Sequence, residues 1–279
     1  MIDVILDGLI DTLKIIPYLF IAFILLEYLE HKISKKDKKL LTNHKKFGPI
    51  IGSLLGALPQ CGFSAMGANL FSRRVITIGT LVAIFLSTSD EMLPIMLSQK
   101  VPVLDILLII GIKVVIGIIF GYVIDIILRR KNDIKTTEIH KMCDEEHCHC
   151  EEGIFKSSII HTLNIVVFIL IVNIGINLLI YFIGEDTLYN FLNQGGVLSY
   201  FVSSLIGLIP NCASSVIITQ VYLLKLISFG TLLSGLLTGS GLGILLLFKT
   251  NKNIKENIQI VLIIYLIGVF VGLLVDLFI

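Results

Sequence analysis

Two stretches, Leu58-Pro59-Gln60-Cys61-Gly62-Phe63-Ser64 and Ile209-Pro210-Asn211-Cys212-Ala213-Ser214-Ser215, interrupt apolar sequence with the same order of proline, side-chain amide and cysteine. Proline has no backbone donor and clashes with the preceding turn, so each stretch is expected to break a helix and free carbonyl groups. The helix that resumes behind it presents the positive end of its dipole at the same point. Amide, thiol and hydroxyl groups collect there: Gln60, Cys61 and Ser64, with Asn69 behind them, and Asn211, Cys212, Ser214 and Ser215, with Gln220 behind them. Kinks that merely let helices pack through small residues would account for one such stretch. Two at matched positions point to a shared role.

The match extends beyond the breaks. A shift of 151 residues aligns Ser53 to Ser89 with Ser204 to Ser240 without a gap, pairing Gly56 with Gly207, Pro59 with Pro210, Cys61 with Cys212, Ser64 with Ser215, Gly79 with Gly230, Thr80 with Thr231 and Ser89 with Ser240. Further out, Asp11-Thr12-Leu13-Lys14 pairs with His161-Thr162-Leu163-Asn164, and Gly121 and Asp125 pair with Gly272 and Asp276. Each half therefore reads as one copy of a unit, residues 1–128 and 159–279, joined by a polar linker over 129–158.

Of the 279 residues 55% are hydrophobic and only 15% charged, and the mean hydropathy is +0.93, which excludes an ordinary soluble globular chain. Apolar stretches long enough for a hydrocarbon core of roughly 30 Å run over 8–30, 49–71, 75–97, 101–128, 159–183, 197–224, 227–248 and 258–279. The expected fold is an all-α polytopic membrane protein. Asp3, Asp7 and Asp11 precede the first stretch where a cleaved leader would carry basic residues, so that stretch is expected to remain as a helix. The net charge of +1 hides segregated charge and gives no sign of a nucleic-acid partner. The expected surrounding is a lipid bilayer, and a homo-oligomer is compatible with it.

Lysine and arginine accumulate in cytoplasmic loops, and this rule separates two arrangements. If all eight stretches crossed, Arg73 and Arg74 would lie opposite the Lys32 to Lys46 cluster. If the second stretch of each half is a re-entrant hairpin broken at its proline, three stretches per half cross and the two copies are inverted. Then 18 of the 22 basic residues fall on the cytoplasmic side, in 31–47, 72–74, 129–158 and 249–257. The inverted arrangement is the expectation carried forward, in a bacterial-type inner membrane. Irregular backbone at membrane depth is tolerated where it lines a polar cavity, and paired interrupted segments mark the binding site of a transporter.

The stretch after each break adds polar groups of unequal kind: Ser87, Thr88, Ser89, Asp90 and Glu91 in the first half, Thr238, Gly239 and Ser240 in the second. Carboxylates within a span are costly and face an aqueous path or a cation. Asp90 aligns with Gly241 and Glu91 with Leu242, so the acids belong to one half only. The Gly-Thr-Leu triplets at 79–81 and 230–232 read as helix contacts. Asp125 and Asp276 read as anchors at the membrane surface. Lys113 lies in mid-span and calls for a carboxylate or a helix C-terminus as partner.

Between the halves the linker carries His140, Cys143, His147, Cys148, His149 and Cys150. Reduced thiols and imidazoles suit zinc or copper(I), so a metal-binding loop is expected there, dispensable for transport. No cofactor is required by any of these features.

With Leu58 to Ser64, Gly79 to Pro94 and Leu208 to Ser215 in hand, the chain resembles the arsenic or heavy-metal efflux permeases, some of whose members are labelled manganese transporters. The resemblance runs over nearly the whole chain and implies an inner-membrane exporter of ten spans. That number agrees with six crossings and two hairpins only if broken segments are counted separately. Gln60, Cys61, Asn211, Cys212, Asp90 and Glu91 match the family's polar motifs.

These observations favour a secondary transporter for a metal or metalloid ion: cysteines suit arsenite-like or thiophilic ions, while amides and acids suit manganese or another divalent ion. The sequence holds no Walker-type phosphate loop, and no enzymatic activity is expected. A different class is a membrane dithiol carrier, in which Cys61 and Cys212 cycle through a disulfide. A third is a metal sensor using the 140–150 loop.

Overall fold

The computed structural model of the chain describes residues 16, 20, 47–58, 61–89, 92–128, 163, 166, 167, 170, 171, 174, 175 and 196–278. The first and fifth apolar stretches, apart from scattered positions, and the linker with its Cys and His residues lie outside the described residues. Every regular element described is a helix. In the first half α1 is Gly48–Gly56, α2 Cys61–Ser72, α3 Ile78–Ser87, α4 Met92–Ser98 and α5 Val103–Leu128. The second half repeats the order with α6 Leu198–Gly207, α7 Cys212–Leu223, α8 Phe229–Thr238, α9 Leu242–Thr250 and α10 Ile254–Phe278. Ile78–Ser98, Val103–Leu128, Phe229–Thr250 and Ile254–Phe278 are long and apolar enough to cross a bilayer. The chain is a polytopic membrane protein.

The same local devices build corresponding helices. Thr77 and Ser228 hold extended backbone ahead of α3 and α8, and their hydroxyls accept from the N–H three residues on, Thr80 at 3.1 Å and Thr231 at 3.2 Å. This satisfies one of the donors that a helix start leaves unpaired. A carboxylate completes each cap. Asp125 accepts from the Gly79 N–H at 2.9 Å and the Thr77 hydroxyl at 2.7 Å. Asp276 accepts from the Gly230 N–H at 2.7 Å, the Tyr200 hydroxyl at 2.7 Å and the Ser228 hydroxyl. The two acids thus tie the end of α5 to the start of α3, and the end of α10 to the start of α8, where helix dipoles favour negative charge. This capping is a role that the expectation of anchoring at the membrane surface did not include.

The Gly-Thr-Leu triplets are packing contacts, as their sequence suggested. A methyl group on Gly79 would collide with the Gly121 carbonyl oxygen, and one on Gly230 with that of Gly272. Such contact lets α3 run tightly along α5, and α8 along α10. Further along, α1 lies beside α3 with its start near Thr80 and its end near Ser87, so the two helices run parallel. In the second half the Ser199 and Thr231 hydroxyls stand 3.0 Å apart and Gly207 abuts Gly235 and Thr238, so α6 runs parallel to α8.

Opposite faces of the long helices are apolar and open. Leu104, Leu108, Val115, Ile119 and Val123 line one side of α5, and Ile258, Leu262, Leu266, Phe270 and Leu274 recur every fourth residue along α10. Stripes at that spacing occupy one helix face, the face a lipid-exposed helix presents. The boundary of α10 differs from the expected 258, because the Asn253 side chain accepts from the Glu256 N–H and starts the helix at Ile254, within a charged segment.

Between halves the packing is crossed. α2 lies against α9, α7 against α4, and α3 against α8. Arg74, just past α2, makes a two-pronged ion pair with Glu256 near the start of α10, at 2.8 and 2.9 Å. Its guanidinium also lies 5.3 Å from the centre of the Phe71 ring.

Candidate functional site

Each Pro-polar-Cys break ends one short helix and begins another. α6 stops at Gly207, the chain turns through Pro210, and α7 starts at Cys212 with Asn211 as its cap, the Asn211 Oδ1 accepting from the Ala213 N–H at 3.4 Å. The first break follows the same plan, with α1 ending at Gly56 and α2 starting at Cys61. Pro59 and Gln60 lie outside the described residues, and Cys61 and Cys212 are placed by their backbone alone.

A second pair of breaks stands beside the first pair. The stretch expected as one span over 75–97 is two helices, since α3 ends at Ser87 and α4 begins at Met92; the 227–248 stretch likewise divides between Thr238 and Leu242. Asp90 and Glu91 fall at the first of these junctions but outside the described residues. Gly241, the counterpart of Asp90, holds φ of 51° ahead of α9, a backbone angle suited to glycine.

The crossed packing brings breaks of different halves together. Gly243 on α9 approaches so closely that a methyl group there would lie 2.6 Å from the Phe85 ring, 2.9 Å from Ser64 Cβ and 3.1 Å from the Ser64 carbonyl oxygen. The first-half cysteine helix thus meets the second-half junction. The reciprocal contact is α7 on α4, with Met92, Met96, Ile217, Ile218 and Val221 in one buried apolar cluster.

Polar side chains predicted from sequence gather around these four breaks, and most are buried: Ser64, Asn69, Ser87, Thr88, Ser89, Asn211, Ser214, Ser215, Thr238 and Ser240. Gln220 stands exposed, two turns along α7 from Cys212. Several hydroxyls donate to carbonyls. Ser87 bonds to Ala83 at 2.8 Å, Thr88 to Ile84 at 2.8 Å, Ser214 to Asn211 at 2.8 Å, and Thr238 both to Gly235 within its own helix and to Ser204 of α6, at 2.9 Å each. A hydroxyl that donates its proton this way keeps oxygen lone pairs that can accept. Ser240 differs: its oxygen is buried with no hydrogen-bond partner among the described residues.

Lys113 is fully buried on α5 and donates to the Thr88 carbonyl at the C-terminal end of α3. The sequence required a carboxylate or a helix C-terminus, and the described contact is the second. Lys113 lay outside the group of expected site residues, although a mid-span lysine in the only half with Asp90 and Glu91 was a usable signal. Among the described residues no group of three His, Cys, Asp or Glu converges as a metal site.

No curated protein and no solved structure matches the chain. Residues 1–185 of the 279 match a family of membrane transporters. The match takes in α1 to α5 and ends ahead of α6, a shorter reach than the expected resemblance over nearly the whole chain. Its description agrees with a multi-pass membrane protein and implies transport of a metal ion, not catalysis. By that match, and by the buried polar breaks within apolar helices that the structure describes, the chain belongs to the family described as "Putative, 10TM heavy-metal exporter".

Proposed function

We propose that the protein is a secondary transporter that exports a metal or metalloid ion, arsenite-like or divalent such as manganese, from a bacterial-type inner membrane by alternating access. Its site lies between two inverted repeats, 1–128 and 159–279, with 129–158 as a cytoplasmic metal-binding linker. The observation that carries this reading is the crossed pairing of breaks, Ser64 of one half against Gly243 of the other. Substrate held there touches both halves and moves with neither alone. Gln60, Cys61, Asn211 and Cys212 supply amide and thiol ligands, the hydroxyls of 87–89, 214–215 and 238 supply oxygen, and Asp90 and Glu91 supply charge from the first half.

Two geometric facts support inversion and re-entry. α10 carries Glu256 near its start and Asp276 near its end, about 30 Å apart at 1.5 Å per residue. Arg74, ahead of α3, contacts Glu256, whereas Ser228 and Gly230, at the start of α8, contact Asp276. The third helices of the two halves therefore enter from opposite ends of α10. Parallel α1 and α3 further imply that α1 enters from the side on which α3 begins, and that α2 returns to it.

The test is flux in proteoliposomes across manganese, zinc, cadmium and arsenite, with Cys61→Ser, Cys212→Ser and Asp90→Asn. One ion should move with the intact protein and slow at least about tenfold when a ligand is removed. Failure of every ion to move in either direction contradicts the proposal. Complete loss in both serine variants, with a trapped Cys61 to Cys212 disulfide, would instead support a dithiol carrier.

A further inference from the structure

We propose that the junction between α8 and α9 binds a small monovalent cation of the sodium type, and that this ion couples the transport inferred above, on which the coupling role rests. The first half shows what a cation does at such a junction. Lys113 lays its ammonium on the Thr88 carbonyl, at the C-terminal end of α3, where the helix dipole is negative. The 151-residue repeat pairs Thr88 with Gly239 and Lys113 with Ile264. Ile264 is fully buried in the apolar cluster that holds Leu237 and Leu242. The second junction therefore has the same negative helix end and, among the described residues, no ammonium of its own.

Space and ligands are present at that end. Gly239 closes α8 without a side chain, and a methyl group placed there would lie 3.5 Å from the Gly235 carbonyl oxygen, 3.6 Å from that of Leu236 and 3.9 Å from that of Gly207. The Gly235 carbonyl already accepts from the Gly239 N–H at 3.1 Å and the Thr238 hydroxyl at 2.9 Å, so the carbonyls of Leu236 and of Gly207, at the end of α6, are the ones that border a volume about the size of one small group. The next residue contributes the Ser240 hydroxyl, fully buried and without a hydrogen-bond partner. Leaving such a group unsatisfied is costly, and its oxygen is a ligand for a hard cation.

The ligand chemistry sets the charge of the ion. Residues 238–243 read Thr-Gly-Ser-Gly-Leu-Gly, with Gly241 and Leu242 where the first half has Asp90 and Glu91. Calcium and magnesium sites rely on carboxylates, and thiophilic ions seek sulfur; neutral hydroxyl and carbonyl oxygens beside a partial negative charge suit a single positive charge. A neutral hydroxyl does not hold a proton as a carboxylate or imidazole would. In the loaded state both junctions carry one cation, the first covalently tethered and the second exchangeable.

Purified full-length protein should show a thermal midpoint that rises saturably with NaCl when choline chloride holds ionic strength constant, and no comparable rise with KCl. Ser240→Ala deletes a hydroxyl with no partner, and Gly239→Ala adds a methyl group in ordinary contact, so both variants are expected to fold. Each should raise the half-saturating sodium concentration by about tenfold, the worth of one polar contact. No saturable sodium effect, or wild-type half-saturation in both variants, overturns the proposal. Metal flux in proteoliposomes that ignores a sodium gradient also overturns it while the exporter reading stands. Sodium binding lost in the variants, in a protein that moves no metal, keeps the site and removes the exporter reading.

Discussion

Single residues fix how closely the helices approach. Gly79 and Gly230 occupy equivalent places where a Cβ would meet a neighbouring carbonyl and the capping carboxylate, with Asp125 Cγ at 2.5 Å and Asp276 Cγ at 2.6 Å. Backbone cannot move aside as the tip of a side chain can. Gly79→Ala and Gly230→Ala should each destabilise the protein by about 1–3 kcal/mol, read as a lowered thermal midpoint in detergent. Gly111 on α5 has nothing within 4 Å of such a methyl group, so Gly111→Ala should leave the midpoint unchanged or raise it, by up to about 1 kcal/mol from helix propensity. At this scale the sequence was legible where the repeat preserved identity, as for the paired glycines. It was less so for Asp125 and Asp276, whose position near helix ends suggests water although they accept from N–H groups and hydroxyls at the starts of other helices. A capping bond across 46 residues has no local signature.

Among elements the informative features are the breaks. Two were legible because proline interrupts them. The other two were not, because Ser87 to Glu91 and Thr238 to Leu242 lie within apolar runs that length alone assigns to continuous spans. A signal was present in Pro94, which sits in the first turn of α4, a position proline tolerates where a helix interior does not. The glycines on either side of Ser240 gave the same warning in the second half. Crossed packing of α2 on α9 was beyond sequence, since it depends on tertiary arrangement. The Arg74 to Glu256 pair links the halves at the end of α2, with side chains 29% and 17% exposed. Partial shelter and two-pronged geometry place it above an ordinary surface pair. A double-mutant cycle with Arg74→Gln and Glu256→Gln should give a coupling of about 1 kcal/mol in thermal unfolding. Strict additivity would mean that the ends of α2 and α10 do not meet.

For the whole molecule, the account joins a repeat read from sequence to contacts that only the fold provides. Charge distribution suggests two inverted halves, and the proposal of inversion rests on that distribution together with the contacts at the two ends of α10. The second half carries no acids at its junction, so the two halves are chemically unequal, with Lys113, Asp90 and Glu91 in one and Gly239, Ser240 and Ile264 in the other. An exporter built this way pairs one permanently charged junction with one that is charged only when loaded. The proposed inversion is the point on which the transport reading depends most. Single cysteines at positions 74, 100, 225 and 253, in a background without the native cysteines, can be labelled with a membrane-impermeant thiol reagent from each side of the membrane. The account predicts that 74 and 253 react from one face and that 100 and 225 react from the other. If 74 and 225 share one face while 100 and 253 share the opposite one, all eight stretches cross and the inverted arrangement is wrong.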